Sequence, residues 1–140
     1  TLKKCRGLFV LCVALCLMIM SVPVSALDMR ASEQISFHSI DASASNGEIV
    51  TRFTVWGNTT MDKLGCQSIT ISEKRGSSWI SVASFDEDDT GMSRTDGTRH
   101  SNSISWSCKS GVEYRVSVTV FAEDSAGRDT RSKTVYVTGR

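Results

Sequence analysis

Apolar residues follow two different patterns along this chain. From Leu8 to Met20 they run together almost without interruption. After residue 33 they come singly, spaced by Ser, Thr, Arg and Lys, and no window carries the recurrence of an amphipathic helix. Alternation with a period of two places successive side chains on opposite faces of a strand. The second region is therefore predicted to be all-β.

Seven strands are predicted, over residues 34–43, 48–56, 66–73, 79–85, 100–108, 113–122 and 130–138. The clearest is 113–122, where Tyr114, Val116, Val118 and Val120 are assigned to the core and Arg115, Ser117, Thr119 and Phe121 to the outside. In 79–85, Ile80 and Val82 are assigned inward and Trp79 outward; in 130–138, Val135 and Val137 or their alternates close the core. Asn46-Gly47 is a tight-turn dipeptide, and Gly76 and Gly111 mark two further turns. Residues 57–65 read as a loop. Residues 86–99 read as a long irregular segment, of the length at which loops are functional or mobile. The only proline is Pro23, so nothing beyond it bars central pairing. Short strands at a spacing of roughly ten residues predict a seven-stranded antiparallel β-sandwich.

The first region has a different meaning. Lys3, Lys4 and Arg6 precede the apolar run, and Val24-Ser25-Ala26 follows it with small residues at the −3 and −1 positions. That is the layout of a secretory signal peptide over residues 1–26, cut after Ala26. The run is shorter than the roughly 20 residues a membrane span needs. The expected product is one secreted domain, residues 27–140, with no membrane span after processing. Residues 1–140 hold no sorting motif or wall-binding repeat, which favours release outside the cell. A domain of this size buries about two-thirds of its unfolded-chain surface, enough for a core without a metal.

Residues 27–140 carry 13 basic and 15 acidic side chains, with neither a basic footprint for nucleic acid nor an acidic tail. His38 and His100 are the only histidines, with no second imidazole or cysteine at ligand spacing, and no G-x-S-x-G elbow occurs. No catalytic residue, metal or cofactor is assigned, and the chain reads as a non-enzyme. Asp86-Glu87-Asp88-Asp89 is the densest carboxylate cluster and the natural place to look for calcium, but Thr90 and the late Gly91 break the calcium-loop pattern. Of the aromatic residues Trp56, Trp79, Trp106, Tyr114 and Phe121, the outward assignment of Trp79 and Phe121 makes these two the ligand-binding candidates. Arg128, Arg131, Lys133 and Arg140 give the last strand a basic edge, which discourages sheet-to-sheet pairing.

Gly111-Val112-Glu113-Tyr114, the valine ladder after it, Ser125-Ala126-Gly127 and the Thr-rich run 134–138 resemble the last two strands of a fibronectin type III domain. The resemblance implies an immunoglobulin-like sandwich, a core tryptophan at Trp56, and a tyrosine corner in which the Tyr114 hydroxyl bonds backbone a few residues upstream. With Met61–Gly65, Glu73-Lys74 and Gly76–Trp79, the chain is also similar to small secreted proteins of Gram-positive gut anaerobes, which implies location and fold but no activity. Two cysteines follow residue 26, Cys66 and Cys108, and an even count in an exported chain favours a disulfide. The implied strand order opposes it, setting the two a strand length apart, roughly 20 Å, where a disulfide needs about 7 Å. The expected function is a binding or adhesion module for a surface glycan or protein. The alternative is a structural or inhibitory protein that self-associates through its edge strands.

Overall fold

The computed structural model describes residues 33–140. The expected signal peptide, its cleavage site and the lead to residue 32 lie outside the described residues. Six strands are found: β1 (Ile35–Ser45), β2 (Glu48–Arg75), β3 (Ser78–Asp86), β4 (Ser93–Ser107), β5 (Glu113–Asp124) and β6 (Gly127–Thr138). All pairings are antiparallel, and all six strands join in one continuous sheet. The sheet curls because β2 is long enough to serve twice. Its first half lies between β1 and β4, and its second half lies between β3 and β5, with β6 beyond β5. A three-stranded layer thus faces a four-stranded one in a sandwich-like arrangement.

The alternation read from the sequence builds the core. Ile49, Phe53 and Val55 of the first layer and Ile69, Ile71, Val116, Val118 and Val120 of the second belong to one buried cluster. Its two open sides are closed differently. Phe85 of β3 and Trp106 of β4 meet edge-on with ring centroids 6.1 Å apart. On the other side the contacts are polar: the Ile35 amide donates to Asp129 Oδ2 at 3.0 Å, and Lys133 Nζ donates to the Ile40 carbonyl at 3.2 Å. The buried Asp129 is also paired with Arg131. Tyr114 is buried, and its hydroxyl accepts the Lys109 amide at 2.8 Å, a backbone bond a few residues upstream of the kind the resemblance implies.

The structure corrects the expectation in three places. Residues 57–65 form no loop: they are the bend of β2, where pairing with β4 breaks off after Trp56 and resumes at Met61. Met61 and Leu64 are fully buried there, and that burial holds the segment extended without any period-two signal. The irregular segment shrinks to residues 87–92, because 93–99 already pair with β2 as the start of β4. In β3 the ladder shifts between Ile71 and Ser72, leaving Val82 without a partner. Past that bulge the faces exchange, so Ala83 is buried and Phe85 packs on the core.

Gly65 sits where β2 changes neighbours, paired with Ser93 on one side and Phe121 on the other. Its φ is +152°, and a Cβ there would fall 2.5 Å from the Ser93 Cα and against the Met92 carbonyl. That carbonyl accepts the Cys66 amide at 2.7 Å, so it has no room to withdraw. Gly65→Ala is expected to cost about 2–3 kcal/mol in urea unfolding. Gly76→Ala, at φ +62° with nothing near the added methyl, is expected to cost only about 1 kcal/mol.

Candidate functional site

The outer face of the four-stranded layer carries an aromatic pair with no part in the core. β6 places Val135 and Val137 against the core, so Tyr136 between them points outward and stays 66% exposed. β3 presents Trp79 before its bulge, opposite Lys74 of β2. The two rings lean toward one another over the strands between them, with centroids 5.8 Å apart and planes at 57°. Glu113, opposite Thr138 in the ladder, and Lys74 complete a cleft of about 350 Å³ lined also by Val137 and Thr138. A second cleft of about 370 Å³ lies on the other side of Tyr136, bounded by Ser43, Ala44 and Arg140. Tyr136, Val137 and Thr138 line both clefts.

Cations frame this face. The Arg115 guanidinium lies 5.1 Å from the centre of the Trp79 ring, and Lys74 Nζ lies 5.9 Å from it. Lys74 is also paired with Glu113 at 3.0 Å. In the ladder Arg115 stands between Ser72 and Tyr136, neither of which is charged. A face of this kind offers flat apolar surface and hydrogen-bond donors.

Of the two ligand-binding candidates, Trp79 lies part-exposed on this outer face, whereas Phe121 is not accessible. Phe121 is fully buried beneath the Arg128 guanidinium, 4.0 Å from its ring centre. Arg128 is held in place by a bidentate pair to Glu87 at 2.8 and 3.1 Å, by Glu123 at 3.2 Å and by Gln67 at 3.2 Å. Outward alternation did place Phe121 on the outer face, but a salt-bridged arginine covers it. Tyr136 is the residue sequence reasoning missed. Once Val135 and Val137 are fixed as inward, the phase of β6 exposes it, and the sequence left that phase open.

The acidic run is occupied by protein partners. Glu87 binds Arg128 and Lys63, and Asp88 pairs with Lys63 at 3.3 Å. Asp86 Oδ1 accepts the Asp88 amide, and Asp89 Oδ2 accepts the Asp86 amide. Among the described residues no group of three His, Cys, Asp or Glu side chains is arranged to hold a metal ion. Arg128 beside Glu87 holds that carboxyl far below its usual range, at about 2, against a smaller opposing effect of burial.

His38 and His100 flank Val55 from opposite sides of the three-stranded layer. That sets their backbones about 10 Å apart. His100 is engaged elsewhere, with Nε2 2.7 Å from the Gly91 carbonyl. Trp56, expected as a core residue, is instead half-buried on the outer face of the three-stranded layer. It stacks with the exposed Phe37 at 4.6 Å and lies under Arg99 at 4.3 Å.

The disulfide is not formed. Cys66 and Cys108 are both free. Cys66 follows Gly65, which pairs with the first residue of β4, whereas Cys108 follows the last. A 15-residue strand separates them. Its rise of about 3.3 Å per residue far exceeds the reach of the bond. Cys66 is buried, and that burial pushes its thiol up to about 12.

No family model matches the chain, and comparison with curated proteins gives no match. Among solved structures the chain is similar to Spo0M, a sporulation control protein from Bacillus subtilis, at 12% sequence identity and a TM-score of 0.41. The similarity covers 74% of this chain and 50% of that one, so the chain spans about half the length of that structure.

Two outcomes follow from these environments. At neutral pH a maleimide is expected to label Cys108 in the native protein and Cys66 only after denaturation, each read by mass on the peptide that carries it. Glu87 has a folded-state pKa below its unfolded one, so its contribution to stability is complete above about pH 4.5 and is lost as pH falls toward 2. Arg128→Gln is therefore expected to be about 1–2 kcal/mol less stable than the parent at pH 7. In urea titrations that gap is expected to narrow progressively below pH 4.5.

Proposed function

We propose that this protein is a secreted, non-enzymatic binding module that holds a glycan on the outer face of its four-stranded layer. The observation that carries the reading is Tyr136, a large aromatic residue left 66% exposed beside Trp79 over two adjoining clefts. Sugar rings present flat apolar faces edged by hydroxyls. Two tilted aromatic rings bordered by Lys74, Glu113 and Arg115 match that chemistry. Secretion is supported by the layout of residues 1–26.

A fibronectin type III or immunoglobulin-like identity fits the same reading. Counting β2 as two strands gives seven, divided three and four between the layers. The Tyr114 hydroxyl on the Lys109 amide adds the corner contact of that architecture. The exposed Phe37 beside Trp56 supports a second reading, in which the opposite face joins two copies of the chain.

Intrinsic tryptophan fluorescence of the purified protein, titrated with a panel of neutral and acidic oligosaccharides, tests the first reading. Saturable binding to one class is expected, weakened about tenfold or more by Tyr136→Ala and by Trp79→Ala. Circular dichroism of Tyr136→Ala is expected to match the parent. Binding unchanged by both substitutions would move the site elsewhere. Absence of binding together with a concentration-dependent rise in mass by light scattering would favour the second reading.

A further inference from the structure

We infer that the Trp79–Tyr136 face is selective for acidic saccharides, with Arg115 receiving a sugar carboxylate. The inference rests on the binding-module reading and adds the charge of the ligand to it. Its basis is the balance of charge around the cleft. Lys74 and Glu113 neutralise each other at 3.0 Å. Arg115 has no such partner: among the described residues no carboxylate lies within ion-pair distance of its guanidinium, and its ladder neighbours are Ser72 and Tyr136. Arg140, on the far side of Tyr136, lines the adjoining cleft, and its carbonyl accepts the Gly47 amide at 2.6 Å.

The position of Arg115 matters as much as its charge. Its guanidinium lies over the Trp79 ring at 5.1 Å, so its orientation is set before any ligand arrives. A guanidinium so placed presents a planar fork that matches a carboxylate with two parallel hydrogen bonds. A sugar stacked on Tyr136 or Trp79 would bring a carboxylate on its ring within range of that fork. Cationic ligands fit poorly, because Lys74 and Arg115 already occupy the region around the tryptophan ring that a quaternary amine would seek.

The contrast with Arg128 sharpens the point. That arginine also lies over an aromatic ring, but Glu87 and Glu123 take its donors. Among the described residues three arginines lie over aromatic rings, and the one on the candidate face has donors that no carboxylate of those residues claims.

The test is calorimetric titration of the purified protein with matched pairs of oligosaccharides: galacturonate and glucuronate oligomers, each beside its carboxyl-reduced form. At low salt (about 10 mM, where charge interactions reach ~30 Å) an acidic oligomer is expected to bind at least tenfold more tightly than its reduced partner. Added salt is expected to narrow the gap. Arg115→Gln is expected to bring the acidic oligomer down to the level of the reduced one, whereas Tyr136→Ala weakens both. Equal affinity for acidic and reduced forms would overturn the inference and leave the module reading standing. Binding of neither form would overturn it as well, and failure of the wider neutral panel in the fluorescence experiment would then remove the module reading too. The comparison of ligands on the parent protein decides the matter even if Arg115→Gln proves unstable.

Discussion

Everything in this fold depends on β2 being shared. A single strand supplies hydrogen bonds to β1 and β4 with one half and to β3, β4 and β5 with the other. Because the ladder is continuous, the two layers cannot slide past each other without breaking it. The crossing is tightest at Gly65, where the backbone of β4 approaches too closely for any side chain. The positions of Trp79 on β3 and of Tyr136 on β6 both trace back to this junction, since each strand is registered ultimately against the second half of β2.

Arginine over an aromatic ring recurs on the surface, at Arg99 on Trp56, Arg115 on Trp79 and Arg128 on Phe121. The neighbours decide what each pairing does. Around Arg128, Glu87, Glu123 and Gln67 consume its donors, and the aromatic ring below is sealed from water. Around Arg115 no carboxylate of the described residues intervenes, and the aromatic surface stays open with Tyr136 beside it. The same pair of residue types thus serves as a structural plug in one place and as an accessible surface in another.

The sequence carried the layers better than it carried the face. Period-two alternation identified the inward row of β5, because burial of one face leaves a direct mark on residue choice. It failed at residues 57–65, where Met61 and Leu64 are buried by a bend rather than by regular pleating. It failed in β3 because one extra residue, Val82, reverses the faces beyond it, and nothing local announces a bulge. Phe121 was placed on the correct side of its strand; what covers it comes from residues distant in sequence, Glu87 and Arg128. Tyr136 required the phase of the last strand, which Val135 and Val137 fix only once the core is known.

The two ends of the described domain lie at opposite poles. At one, Asn58 donates to the carbonyls of Glu33 and Gln34, and Gln34 reaches Asp124 at the β5–β6 turn. At the other, the Gly47 amide bonds the Arg140 carbonyl at 2.6 Å. A pull applied between residues 33 and 140 therefore runs nearly parallel to the strands. Antiparallel hydrogen bonds lie perpendicular to their strands, so such a load meets many of them at once in shear instead of one after another. The β1–β2 and β5–β6 ladders therefore bear such a load as whole units, and give way together rather than one bond at a time.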